Sequence, residues 1–197
     1  TKITMAGGKV QSVYGGGNKG GVTGSTEVAI GTGATVTSSV YGGSSEANVT
    51  GTATVTISGT AGTVYGGGIK GTNYSGIVTG NTTVTVSGTA VTVYGGDGGN
   101  ANGGNNAGGA VNGDTKVTIS GTSNGTIYGG GSNGTVGGNT AVIVSGTVTI
   151  GTSSGDVYGG GYGGTVGGSG DSAKGNTTVT VNGSGSGTSA TDFAAVN

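Results

Sequence analysis

Polar and apolar residues alternate in a short segment that recurs along the whole chain. It reads EVAI at Glu27–Ile30, TVTI at Thr54–Ile57, TVTV at Thr83–Val86, KVTI at Lys116–Ile119, AVIV at Ala141–Val144 and TVTV at Thr178–Val181. KITM at Lys2–Met5 is a seventh copy. A period of two places Val55 and Ile57 on one face and Thr54 and Thr56 on the other. The apolar face is kept in every copy: Val28/Ile30, Val55/Ile57, Val84/Val86, Val117/Ile119, Val142/Val144 and Val179/Val181. β-branched residues favour strand over helix. No segment offers the i, i+3, i+4, i+7 stripe of an amphipathic helix.

Two further segments recur between these strands. One is a tyrosine followed by glycines, with Tyr14, Tyr41, Tyr65, Tyr94, Tyr128 and Tyr158 spaced by 27, 24, 29, 34 and 30 residues. The other is Val-x-Gly, beginning at Val22, Val49, Val78, Val111, Val136 and Val166. From Tyr to this Val the gap is 8 residues in four repeats, and from this Val to the alternating strand it is 5 in five repeats. The extra length falls in three places, after Tyr65, Tyr94 and Val166. Variable corners on fixed strands describe a coil.

The pattern therefore predicts an all-β chain without helices: a parallel β-solenoid of about six coils with three short strands each. Coils about 4.8 Å apart give a stack roughly 29 Å tall. An antiparallel sandwich would also have closely spaced short strands. Stacking in register gives each repeat an equivalent role more simply. Residues 1–182 are read as one repeat domain and 183–197 as a Gly/Ser-rich tail. Neither end carries a capping helix or charged strand, and the chain does not begin with Met. It reads as a processed product or a piece of something longer. Open solenoid ends invite edge pairing. The expected partners are copies of the same chain end to end, or further coils of a longer solenoid.

Composition narrows the function. There are 54 Gly but no Pro, which excludes collagen, and no Cys, His or Trp. All six basic residues are Lys, and the net charge of −1 offers no basic patch for nucleic acid. No apolar run approaches the roughly 18 residues of a membrane span, so no membrane insertion is expected. Seven carboxylates (Glu27, Glu46, Asp97, Asp114, Asp156, Asp171, Asp192) are spread over different repeats. Without His or Arg they do not suggest an enzyme. The glycine runs lack the Gly-Lys-Ser/Thr ending of a phosphate cradle. No cofactor is expected. Asp97, inside GGDGGNANGGNNAGG at Gly95–Gly109, is at most a weak calcium site, since Ca²⁺ takes six to eight oxygens. Outward pairs such as Thr54/Thr56, Thr83/Thr85 and Thr178/Thr180 raise ice binding as an alternative, with Glu27 and Lys116 interrupting them. Asn-x-Ser/Thr sequons begin at Asn48, Asn73, Asn81, Asn124, Asn133, Asn176 and Asn182, and glycosylation depends on the machinery of the source.

The tyrosines are the candidate contact residues. The residue before each Val or Ile is polar (Ser12, Ser39, Thr63, Thr92, Thr126, Asp156), so Val13 and its equivalents should point inward. On an unbent strand Tyr14, Tyr41, Tyr65, Tyr94, Tyr128 and Tyr158 then point outward beside uncrowding glycines, as a ladder. If the chain bends at Tyr, the rings stack inside a corner instead. In the tail, Asp192 and Phe193 form a candidate docking or assembly segment.

The pattern VYGGG…GNTTVTVSGT resembles the glycine-rich parallel β-helix repeats of very large bacterial cell-surface and secreted adhesins, over Lys2 to about Asn182. The resemblance implies a secreted or cell-surface, extracellular stalk, adhesin or matrix fibre without catalytic residues. The alternative is a module that binds glycans or a host surface through exposed Tyr and long loops.

Overall fold

The computed structural model describes residues 1–69, 76–99, 110–145, 149–150, 155–167 and 175–182. The tail at 183–197, with Asp192 and Phe193, lies outside the described residues, as do positions 100–109 of the Gly/Asn-rich loop. Among the described residues there is no helix. Hence none is long and apolar enough to cross a membrane.

The described residues form fifteen strands, in order β1 (Lys2–Tyr14), β2 (Thr26–Tyr41), β3 (Ala53–Ile57), β4 (Thr60–Tyr65), β5 (Thr82–Val86), β6 (Thr89–Tyr94), β7 (Ala110–Val111) and β8 (Thr115–Ile119). Then come β9 (Thr122–Ser123), β10 (Ile127–Tyr128), β11 (Thr135–Val136), β12 (Thr140–Ser145), β13 (Thr149–Ile150), β14 (Val157–Tyr158) and β15 (Thr177–Asn182). Among the described residues every pairing is parallel and links one repeat to the next, so the chain is a parallel β-solenoid. Six tyrosine rungs, Tyr14 to Tyr158, enclose about five turns.

The alternating segments form one ladder: the first parts of β1 and β2, then β3, β5, β8, β12 and β15. From Glu27 to Val144 its register has no bulge, so Val28, Val55, Val84, Val117 and Val142 form one column and Ile30, Ile57, Val86, Ile119 and Val144 the next. These side chains are buried in a single core with Val40, Val64, Val93 and Ile127 from the tyrosine strands. Each fully buried Val or Ile contributes about 1.5–3 kcal/mol. On the last rung Val181 is 48% exposed. The Val-x-Gly segments pair through Val22, Val49, Val78, Val111, Val136 and Val166. With Ala53, Val49, Val78 and Val111 form a smaller second core, against which the partly buried Val22 packs.

The coil has more than three sides. A fourth line of bridges runs through Ser45, Ile69, Gly98, Ser132 and Tyr162, just after the glycines. The chain turns at the glycine run and doubles back beside the tyrosines. The residue after this line takes a left-handed conformation at Glu46, Asn133 and Gly163, which Gly and Asn accept more readily than Glu.

Candidate functional site

The six tyrosines stack along the solenoid. Adjacent ring centroids lie 4.8, 4.9, 5.0, 4.8 and 5.1 Å apart, with interplanar angles of 3° to 9°. The ladder follows from register: Tyr14 pairs Tyr41, Tyr41 pairs Tyr65, and so on to Tyr158. Val40, Val64, Val93 and Ile127 are fully buried, so the rings extend from the opposite face, away from the Val/Ile core.

The glycines do not leave the rings uncrowded, as the spacing alone suggested. The bridge line covers one flank of the ladder: a Cβ on Gly98 would stand 3.0–3.1 Å from the rings of Tyr41 and Tyr65. Tyr162 meets Tyr128 edge-on at 6.0 Å. Tyr41 is 8% exposed, whereas Tyr158 on the last rung is 43% exposed. Burial, and then the neighbouring phenols Tyr41 and Tyr94, push Tyr65 well above the usual tyrosine range. Burial likewise raises Tyr41, Tyr94 and Tyr128, partly offset by hydrogen bonds to Ser39, Ser132 and Thr126 respectively. At the exposed end, Tyr158 Oη donates to Asp156 Oδ2 at 3.1 Å, which holds its proton.

The first glycine after each of the first five ladder tyrosines is required by contact. A Cβ on Gly15, Gly42, Gly66, Gly95 or Gly129 would stand 2.1–2.2 Å from the carbonyl oxygen of the equivalent glycine one coil on. It would also meet the alternating strand across the coil, as at Gly95, 2.9 Å from Val117 Cγ2. From that strand the buried hydroxyls of Thr26, Thr82, Thr115 and Thr140 donate to the carbonyls of Gly42, Gly95, Gly129 and Gly159. They tie the two walls of their own coils together. These threonines share parity with the buried valines, which is the signal that could have revealed them. Ala53 occupies the same column without a hydroxyl.

A ladder of polar side chains flanks the alternating sheet. Asn81 Oδ1 accepts the Asp114 N–H at 2.9 Å. Asp114 Oδ1 accepts the Asn139 N–H at 2.7 Å, and Asn139 Oδ1 accepts the Asn176 N–H at 2.9 Å. Each carbonyl-type oxygen satisfies a backbone donor of the next coil. A shallow depression of about 290 Å³ opens beside this ladder, lined by residues that include Asn81, Thr83, Asp114, Lys116, Asn139 and Ala141. Sequence reading did not anticipate it.

The outward threonines lie in two columns. One runs Lys2, Glu27, Thr54, Thr83, Lys116, Ala141, Thr178, and the other Thr4, Ala29, Thr56, Thr85, Thr118, Ile143, Thr180. Lys2 and Glu27 form an exposed ion pair at 2.9 Å. Such pairs contribute about 0–1 kcal/mol.

Asp97 is 1% exposed and stands in the column of Ser44, Gly68 and Gly131, where its carbonyl accepts the Ser132 N–H at 2.8 Å. Among the described residues, no group of three or more His, Cys, Asp or Glu is placed to hold a metal ion.

No family model, no curated protein and no solved structure matches the chain.

Proposed function

We propose that this chain is a non-catalytic structural solenoid, a stiff segment of an extracellular fibre, filament or adhesin-like stalk at a bacterial surface or in a matrix. One observation carries the reading: the same columns run through successive coils in parallel register, while the variable length falls at corners. A catalytic fold needs to break such symmetry somewhere to gather unlike groups. Here the repeated positions are Val, Thr, Gly and Tyr. The stacked rings support the same reading. Sugars pack on the faces of aromatic rings, and at every inner rung of this ladder both faces are covered by neighbouring tyrosines. The ladder is therefore better suited to bracing the rod than to gripping a glycan.

The rod extends by joining copies end to end or by continuing into further coils. Electron microscopy should show straight rods, with diffraction from aligned material giving an axial spacing of about 4.8 Å. Antibody against the chain should label intact cells. Labelling confined to permeabilised cells, or compact particles that never align, would sink the proposal.

A further inference from the structure

We propose that the rungs around Lys116 form a glycan-binding subsite for a neutral hexopyranose unit, separate from the tyrosine ladder and beyond the structural role. The outward column of the alternating sheet departs from threonine here, as it does at the Lys2–Glu27 pair near the first rung. In that column Thr54 and Thr83 are followed by the long Lys116 and then the short Ala141, before Thr178 restores the pattern. The parallel polar column changes at the same rung, from Asn81 to Asp114 and back to Asn139. A long side chain beside a short one opens the depression of about 290 Å³. That is just below the roughly 300–1,000 Å³ range of small-ligand sites.

The lining suits a sugar. Ala141 and Thr83 are among the lining residues, and their methyl groups would offer apolar contact to the C–H face of a pyranose ring. Asp114 accepts the Asn139 N–H through one carboxylate oxygen, and its second oxygen offers an acceptor for sugar hydroxyls. Lys116 supplies three ammonium donors, and the amides of Asn81 and Asn139 supply more. The side chains of Asp114 and Lys116 are exposed two residues apart on one face of the strand. Their opposite charges balance, which favours a neutral ligand over a uronic acid or an amino sugar. From Asn81 to Asn139 the site spans two coil spacings, about 10 Å. This matches about two residues of an extended glycan.

The test uses the whole chain on an array of neutral, uronic-acid and amino-sugar oligosaccharides, followed by titration of the best-retained neutral one. A Lys116→Thr/Ala141→Thr variant repeats the residue present at Thr54, Thr83 and Thr178, so it removes the long wall at 116, fills the gap at 141 and keeps a sheet pattern the fold already uses. Circular dichroism and the melting temperature should stay at the parent values. We expect a neutral oligosaccharide to be retained by the parent, with affinity at least tenfold lower in this variant and in Asp114→Asn. Asp114→Asn keeps the ladder acceptor and loses the charge. Retention of acidic or amino sugars alone, no retention at all, or undiminished binding by the filled variant would each overturn the subsite. The rod proposal does not depend on any of these outcomes.

Discussion

Val84 and Gly95 belong to the same coil, yet their surroundings impose opposite demands. Around Val84, the wall is a sheet whose register runs through β3, β5, β8 and β12, with side chains filling the interior. Around Gly95, the wall is defined by the absence of a side chain, because a Cβ would lie 2.2 Å from the Gly129 carbonyl oxygen. The sheet gains stability from what its residues add. The corner gains it from how closely backbone approaches backbone, which lets the buried Thr82 hydroxyl reach across to the Gly95 carbonyl. A repeat protein can relax the first wall gradually. The second fails abruptly.

The sharpest way to break this contrast is Gly95→Ala. Its Cβ collides with backbone that has no rotamer to change, so we expect a loss above about 4 kcal/mol in urea denaturation. Gly20→Ala, where a Cβ meets nothing within 4 Å, should stay within about 0.5 kcal/mol. A loss between these two is expected for Thr82→Val, which preserves shape and removes the hydroxyl. It leaves the Gly95 carbonyl without that donor, and the loss should be about 1–3 kcal/mol. Equal tolerance of Gly95→Ala and Gly20→Ala would remove the distinction between the walls.

Alkaline titration probes the corner by another route. The folded pKa of Tyr65, and those of Tyr41, Tyr94 and Tyr128, lie above the ordinary value of 10.0. Below pH about 10 the phenols are protonated in both folded and unfolded chains, so their contribution is fully present. Above it the unfolded chain gives up protons first, and stability falls toward the folded pKa. The slope is at most about 1.4 kcal/mol per pH unit per ring, less for the half-buried ones that solvent screens. Melting temperature should be level from neutral pH to about 9 and drop beyond 10, with a shallower drop in Tyr65→Phe. One substitution should produce a modest gain. Ala53→Thr supplies the hydroxyl missing from its column, aimed at the Gly66 carbonyl, and should add about 0.5–1.5 kcal/mol.

The two walls were not equally legible. Alternation at Thr54–Ile57 and its copies was enough to infer the sheet, its inward face and the parallel stack, because a period of two is a local property. The inward placement of Val40, Val64 and Val93 followed from the same parity. The covered flank of the tyrosines was hidden, since it depends on Gly98 of one coil reaching the rings of Tyr41 and Tyr65 in others. No local pattern records that contact. The depression at Lys116 was hidden for a related reason. Lys116 and Ala141 are 25 residues apart and look like isolated exceptions until the register sets them side by side.

The stacked tyrosines also bear on how such a chain changes length over generations. Each ring contacts equivalent rings one coil away and carries no information about how many coils precede it. A duplication that begins and ends at the same point of the repeat would insert a coil whose tyrosine, glycines and valines meet the neighbours they already fit. A duplication out of phase would set Cβ atoms against the glycine corner and be lost. The Tyr-Gly corner thus acts as a reading frame for recombination, admitting whole coils and rejecting fractions.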